Sequence, residues 1–297
     1  MNVRVLGSAA GGGFPQWNCN CRTCAAARDP EAPARPRTQS SIAVRAGEGR
    51  WYLVNASPDL RQQLADLPGG DDDALRTTPL AGILLTDAEI DHTAGLLLLR
   101  ESSEPLEIYS TAEVREALTL YYPVLAMLER YCGVHWHELA PGAPVVLDGI
   151  LEVDVFASGG DPPLYVPEEA SEMTATGLTI HDRSTGGVLT YAPALETIDD
   201  EIAERLAGSD CAIVDGTFWE KDELVSLGLA ERDALAMGHM PLSGSDGSLA
   251  TLEALPTRTI LAHINNTNPI LLEDSAERAR VAAGGIDVAH DGMEIEL

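Results

Sequence analysis

Short β-branched runs separated by amphipathic stretches constrain this chain most, because their spacing changes along its length. Early runs arrive in pairs with short connections, such as Ser41 to Val44 with Trp51 to Val54 after Val3 to Leu6. Further strands are expected at Ile83 to Thr86, Leu106 to Tyr109, Leu151 to Phe156, Gly177 to His181, Val188 to Tyr191, Ala212 to Asp215 and Thr259 to His263. Helices are expected at Pro58 to Leu67, His92 to Arg100, Ala112 to Arg130, Asp199 to Leu206, Ser248 to Leu255 and Asp274 to Ala282. The later strands thus alternate with helices while the early ones do not. That mixture predicts an α/β chain of two packed sheets flanked by helices, and argues against a doubly wound parallel sheet.

With 297 residues the chain can build one large core. No Gly/Ser linker or internal repeat divides it, and the Pro-rich stretch Asp29 to Arg37 is too short and too early to do so, so residues 1–297 are expected to form a single domain. Its 47 acidic residues outnumber 19 basic ones, giving a net charge of −28. Nucleic-acid binding relies on clustered Lys and Arg, so such a partner is not expected. The chain starts directly with a strand-like segment, without a secretory pattern. No apolar run approaches the roughly 20 residues of a spanning helix. A cytoplasmic protein without a membrane partner is the expectation.

Two features carry chemistry. Cys19, Cys21 and Cys24 crowd one loop after Gly11 to Gly13. Thiolates this close repel unless a cation holds them, which points to a structural zinc knot over residues 19–24, with redox use as the alternative. Cys132 and Cys211 stand alone and read as small apolar residues. The second feature is Thr86-Asp87-Ala88-Glu89-Ile90-Asp91-His92. On an extended segment the side chains at 87, 89 and 91 share a face, and His92 would close on a bound ion from the other side. The alternative is an acidic turn capping a helix. Two more strand ends supply ligands, Asp215 after Ile213-Val214 and His263 after Ile260-Leu261-Ala262. Two histidines and a carboxylate with open positions suit non-haem Fe(II), and a second carboxylate can bind or orient. His135-Trp136-His137 is expected as a surface strand, and His181 and His290 as structural residues.

The frame from Asp87 to His92 resembles the His-x-His-x-Asp-His signature of the metallo-β-lactamase superfamily, in which the first two histidines hold one zinc and the Asp-His half the second. Asp87 and Glu89 stand where those histidines would be, and hard carboxylates replace imidazole poorly at a zinc site. Near Ala157 to Asp161, where hydrolytic relatives carry another histidine, this chain has none. The resemblance therefore implies one remaining active-site metal, held by the Asp91 and His92 half.

Longer blocks are similar to the coenzyme PQQ synthesis protein B family: Leu6 to Gly13, Pro15 to Cys19 with Cys21 and Cys24, Arg35 to Ile42, Asn55 to Gln63, Met237-Gly-His239, His263 to Pro269 and Ala289 to Gly292. Residues 110 to 175 match least. This resemblance implies a metallo-β-lactamase-like four-layer αββα sandwich. It also implies an iron- and O2-dependent hydroxylation of the tyrosine ring in a cross-linked Glu-Tyr intermediate of pyrroloquinoline quinone (PQQ) synthesis, with other enzymes of that pathway as partners. The implied iron ligands are Asp91, His92 and His263, with Asp215 bound or nearby. His239 is the implied counterpart of a histidine that assists a leaving group in phosphodiesterase relatives, and would move protons or hold the phenol. Those relatives close the cysteine zinc with a histidine where this chain has Asn266, whose amide oxygen, or a water, would complete the site. Arg37 or Arg61 would meet substrate carboxylates. A zinc phosphodiesterase and a non-catalytic carrier of PQQ or its precursor are the alternatives.

Overall fold

In a computed structural model the chain forms two seven-stranded mixed sheets packed face to face. The structure describes residues 1–65, 67–70, 75–160, 162–167 and 175–297. The N-terminal half supplies β1 (Asn2–Gly7), β2 (Ser41–Arg45), β3 (Trp51–Val54), β4 (Leu80–Leu84), β5 (Leu106–Ser110) and β6 (Val134–Glu138). Next come β7 (Val145–Leu147), β8 (Leu151–Ala157), β9 (Thr176–Asp182), β10 (Val188–Ala192), β11 (Cys211–Asp215), β12 (Arg258–Ala262) and β13 (Asp287–Val288). A last strand, β14 (Glu294–Glu296), returns to pair with β1. The first sheet runs β14-β1-β2-β3-β4-β5-β6 and the second β13-β12-β11-β10-β9-β8-β7.

Burial explains the layers. Alternate residues of both sheets, among them Val5, Ile42, Val54, Leu84, Val153, Leu178, Tyr191 and Ile213, meet in a central apolar core. The first helix, α1 (Arg22–Ala27), carries Cys24. Against the outer face of the first sheet lie α2 (Leu60–Ala65), α3 (Ile90–Thr93) with the 3₁₀ helix Ala94–Glu101, α4 (Ala112–Glu116) and α5 (Val124–Leu128). The second sheet is covered by α6 (Asp200–Ala207), α8 (Leu249–Ala254) and α9 (Ala276–Ala283), while α7 (Glu223–Ser226) lies beside the site described below. Fully parallel strands such as β11 and β12 are buried on both faces, which is why they read as unbroken apolar runs.

Several expected boundaries move for visible reasons. Asp199 and Ser275 are caps rather than helical residues, accepting hydrogen bonds from the backbone N–H of Ile202 and Arg278. The single helix expected over Ala112 to Arg130 is instead broken: a wide turn over Ala117–Tyr121 follows α4, and Tyr122 is extended (φ −123°, ψ 85°) before Pro123. Proline lacks an N–H and pushes its predecessor out of helical conformation. The helix expected from His92 starts earlier, at Ile90, and tightens to 3₁₀ geometry at Ala94. β7, β13 and β14 are too short for a two-residue period to register in the sequence. Among the described residues no helix is long and apolar enough to cross a membrane.

Candidate metal centre

Strand ends from both sheets deliver the site. Asp87 follows β4, Asp215 closes β11, and His263 follows β12. Asp91 and His92 sit in α3, not on an extended segment, yet 87, 89 and 91 still face one cavity of about 290 Å³. His92 is buried, and its Nδ1 lies 2.8 and 2.7 Å from the two carboxylate oxygens of Asp87. An ionised carboxylate only accepts, so Nδ1 carries a proton in either charge state of the ring, and Nε2 is the nitrogen whose proton a cation would displace. That Nε2 is buried with no hydrogen-bond partner.

The atoms around it complete a ligand set. Asp91 Oδ2 stands 3.8 Å from His92 Nε2 and 3.4 Å from His263 Nε2. The Thr217 hydroxyl accepts from His263 Nδ1 at 2.9 Å and donates to the His263 carbonyl at 2.8 Å, so His263 also turns its Nε2 inward. Ligand atoms of Asp91, His92 and His263 all lie within 4.8 Å of one another. Asp215, His239 and His263 form a second such group. There Asp215 Oδ2 already accepts from His239 Nδ1 at 2.7 Å and from the Leu195 N–H at 2.9 Å, and Oδ1 accepts from the Thr217 N–H at 2.9 Å. His263 has one inward nitrogen, so it can complete only one of the two groups at a time. Asp215 is thereby the residue that orients His239, whose ring stacks on His263 with centroids 5.3 Å apart.

Electrostatics supports a cation here. Burial alone would lower the His92 pKa, but Asp87 and Asp91 outweigh it and hold the ring up at about 9. Burial opposes ionisation of Asp91, yet His92 and His263 keep its carboxyl well below the usual range. Asp87 is depressed in the same way against its burial by His92, and Asp215 by His239. Burial lowers His263, whereas Asp215 overrides burial to raise His239. Glu89 is pushed up to about 7 by burial and then by Asp87 and Asp91. Ionised carboxylates and an orphaned imidazole nitrogen therefore converge where a divalent cation would sit, and the residues fit one.

The rest of the cavity wall is largely apolar, including Pro163, Phe218, Leu224 and Met237, and no Lys or Arg lines it among the described residues. This corrects the expectation for Arg37 and Arg61. Arg37 is buried elsewhere, its guanidinium donating to the Ala289 carbonyl and, at 3.0 Å, to Ser8 Oγ. Arg61 is exposed on α2.

The cysteine cluster is a second centre. Its three sulfurs lie within 4.8 Å of one another. Only Cys19 is in a loop: Cys21 caps α1 and Cys24 lies within that helix, so the 19–24 segment is half helical. Arg28 donates to the carbonyls of Cys19 and Cys24 at 2.6 and 3.3 Å, closing the segment. Burial pushes the Cys24 thiol up to about 11, while hydrogen bonds from Thr23 and Cys24 overcome burial and lower Cys21. The fourth side is Asn266: its amide nitrogen is 3.2 Å from Cys24 Sγ, and its main-chain carbonyl is 3.7 Å from Cys21 Sγ and 4.0 Å from Cys24 Sγ. The Asn266 side chain thus turns its amide nitrogen, not the expected oxygen, to the sulfurs as a donor, and the three soft thiol donors fit a zinc ion whose fourth position would fall to a water.

His135 and His137 lie on edge strand β6, as expected, but they are not without a partner. Glu107 of β5 accepts from His135 Nδ1 at 2.8 Å and from His137 Nε2 at 2.6 Å. His290 is exposed, and its Nδ1 is 3.1 Å from the Asp291 carbonyl. Two residues of the metal centre escaped the sequence reading: Asp87 as the partner of His92, and Thr217 as the partner of His263. Thr217 was signalled only by its place two residues after a strand-end aspartate.

Comparison with known proteins follows the same outline. The β-lactamase superfamily domain matches residues 50–264. The coenzyme PQQ synthesis protein B of Cupriavidus taiwanensis is 48% identical over 305 residues, covering 99% of both chains. A crystal structure of Zn²⁺-bound PqqB from Methylobacterium extorquens is 38% identical and superposes with a TM-score of 0.91 over 100% of both chains. A diphosphatase of the PhnP family shares the fold, with a TM-score of 0.69 at 20% identity over 100% of this chain and 97% of that one.

Proposed function

The chain belongs to the coenzyme PQQ synthesis protein B family, with the metallo-β-lactamase-like fold and a role in PQQ biosynthesis, and from that premise we propose that it is an Fe(II)- and O2-dependent hydroxylase. Its substrate in this reading is the tyrosine ring of a cross-linked Glu-Tyr intermediate. One observation carries the proposal: the buried His92 Nε2 has no partner except the convergence of Asp91 and His263, while Asp87, at a lost ligand position, is occupied in holding His92. A two-metal hydrolase uses paired ions to activate water and steady the leaving oxygen. Here the residues fit one ion with two imidazoles and a carboxylate, the set that suits ferrous iron.

The iron, when bound, supplies the redox chemistry of O2. Hydroxylation of a ring C–H delivers one oxygen atom to carbon and the other to water, and draws two electrons from an external reductant. The protein's own residues prepare that step. Asp87 and Thr217 fix the Nδ1–H tautomers of His92 and His263, so that both Nε2 atoms face the cation. His239, held at Nδ1 by Asp215, turns its other nitrogen to exchange a proton with the phenol or a reduced oxygen. Phe218 and Met237 give the ring an apolar wall that limits water. The cysteine centre would hold zinc and takes no part in chemistry.

Anaerobic loading with Fe(II), followed by ¹⁸O2, a reductant and a tyrosine-derived substrate, tests the reading. Label in the hydroxylated ring supports it. Phosphodiester turnover with zinc alone would replace it with the hydrolase, and tight binding of unaltered quinone without turnover would replace it with the carrier.

A further inference from the structure

The segment after β12 serves both centres at once. His263 opens it and faces the cavity, and Asn266 closes the open side of the cysteine cluster. His263 adopts a left-handed backbone, φ 55°. Such a conformation is uncommon at a residue with a side chain and persists where the surroundings over-determine it. Those surroundings are identifiable. Thr23 Oγ1 donates to the Asn266 carbonyl, and the Asn266 amide donates to Cys24 Sγ at 3.2 Å and to Cys21 Sγ at 3.7 Å. The neighbouring Asn265 N–H donates to the Thr217 carbonyl at 3.0 Å, and Asn268 Nδ2 donates to the Gly216 and Thr217 carbonyls at 2.9 and 3.3 Å. Thr217 is in turn the residue that grips His263 at both Nδ1 and the carbonyl.

We infer that Asn266 is a positioning residue through which the cysteine centre sets His263, so that the two metal centres are energetically coupled. A cation gathered by Cys19, Cys21 and Cys24 would draw the three sulfurs together and so fix α1 against Asn266. Fixing Asn266 fixes the short segment back to His263, and the strained His263 backbone then holds its Nε2 at the distance Asp91 and His92 require. Without that cation, the three crowded sulfurs are ordered by neutral contacts, from the Asn266 amide, Thr23 and the Cys21 N–H, with Arg28 holding the backbone. His263 is then held by Thr217 and the Asn265 and Asn268 contacts alone, and the active-site cation loses part of one ligand's positioning. The inference rests on the reading of Asp91, His92 and His263 as a metal centre, and not on the reaction carried out there.

Linkage supplies the test, because a coupling free energy must act equally in both directions. The affinity of the active site for Co(II), read from its visible absorption in the full-length protein, would be measured with the cysteine centre zinc-loaded and after zinc removal by a chelator. Zinc affinity at the cysteine centre would be measured with and without Co(II) in the active site. The expected result is about a tenfold weakening in each direction, an ordinary size for coupled sites. Asn266→Ala should weaken Co(II) binding by a similar factor while the far-ultraviolet circular dichroism stays unchanged. Asn266→His, which offers the cysteines an imidazole, should restore it. Equal Co(II) affinity with and without zinc, and in Asn266→Ala, would overturn the coupling while leaving the active-site centre in place. Failure of Co(II) to bind the zinc-loaded protein at all would remove that centre and the coupling with it.

Discussion

Asp87 and His92 are joined by a buried hydrogen bond of 2.7 Å, and through it a residue at a lost ligand position becomes the partner of a surviving ligand. A carboxylate behind an imidazole fixes its tautomer and raises its basicity. The substitution from which the sequence predicts loss of one ion therefore has a positive role as well: it aims the nitrogen that holds the other.

Removing that carboxylate should loosen the centre without unfolding the protein. Asp87→Ala leaves the His92 Nδ1–H buried and unpaired and frees the ring to change tautomer. Loss of such a partner typically lowers metal affinity about 10–100-fold. Asp87→Asn, which still offers an oxygen to Nδ1, should fall between the two. A Co(II) titration of each variant measures it, and wild-type affinity in Asp87→Ala would contradict the role.

His92→Ala removes a ligand outright and should abolish metal binding at the active site and, with it, oxygen incorporation. Zinc at Cys19, Cys21 and Cys24 should remain at one equivalent under saturating zinc, since His92 is no ligand there and the coupling lowers its affinity only about tenfold. Metal analysis beside ¹⁸O incorporation separates the two centres. Full hydroxylation by this variant would discard the assignment of the ligand set.

How far the sequence could be read follows from the range of the interactions involved. Ligands at strand ends were legible, since Asp215 ends and His263 follows an unbroken apolar run of the length of a buried strand. The layered fold was legible from the change in strand spacing. What was hidden depends on the meeting of distant segments. Thr217 belongs to His263 only because β11 and β12 are parallel neighbours. Arg37 looked like an anion binder, yet the last turn of the chain brings the Ala289 carbonyl to its guanidinium. The break at Pro123 was local and should have been read from the proline itself.

The metal-free centre should make stability fall as pH rises. Asp87 and Asp91 outweigh burial to raise His92 to about 9 in the folded chain, against about 6.5 for an unperturbed histidine. A raised folded value contributes stability that is complete below about 6.5 and lost as the pH rises through about 9. Thermal unfolding in the presence of a chelator should therefore give a falling Tm across that window. Loading the active site should flatten the profile, because the cation replaces the proton between the same carboxylates. A chelated protein with constant Tm over this range would show that His92 does not hold the charge.

Gly11 connects the glycine-rich loop to the centre through space rather than through a hydrogen bond. A Cβ built on it would lie 3.2 Å from Asp91 Oδ2, the oxygen that faces both His263 and His92. Such a contact is tight enough to require movement, and Asp91 can rotate where the backbone cannot. Gly11→Ala should therefore leave the unfolding free energy within about 0.5 kcal/mol of wild type, as for substitutions that create no cavity or buried charge. The active-site affinity for Co(II) should drop severalfold because the carboxylate turns from the point where the two imidazoles converge. If stability falls and affinity does not, the loop yields in place of Asp91, and the glycine serves the fold rather than the metal.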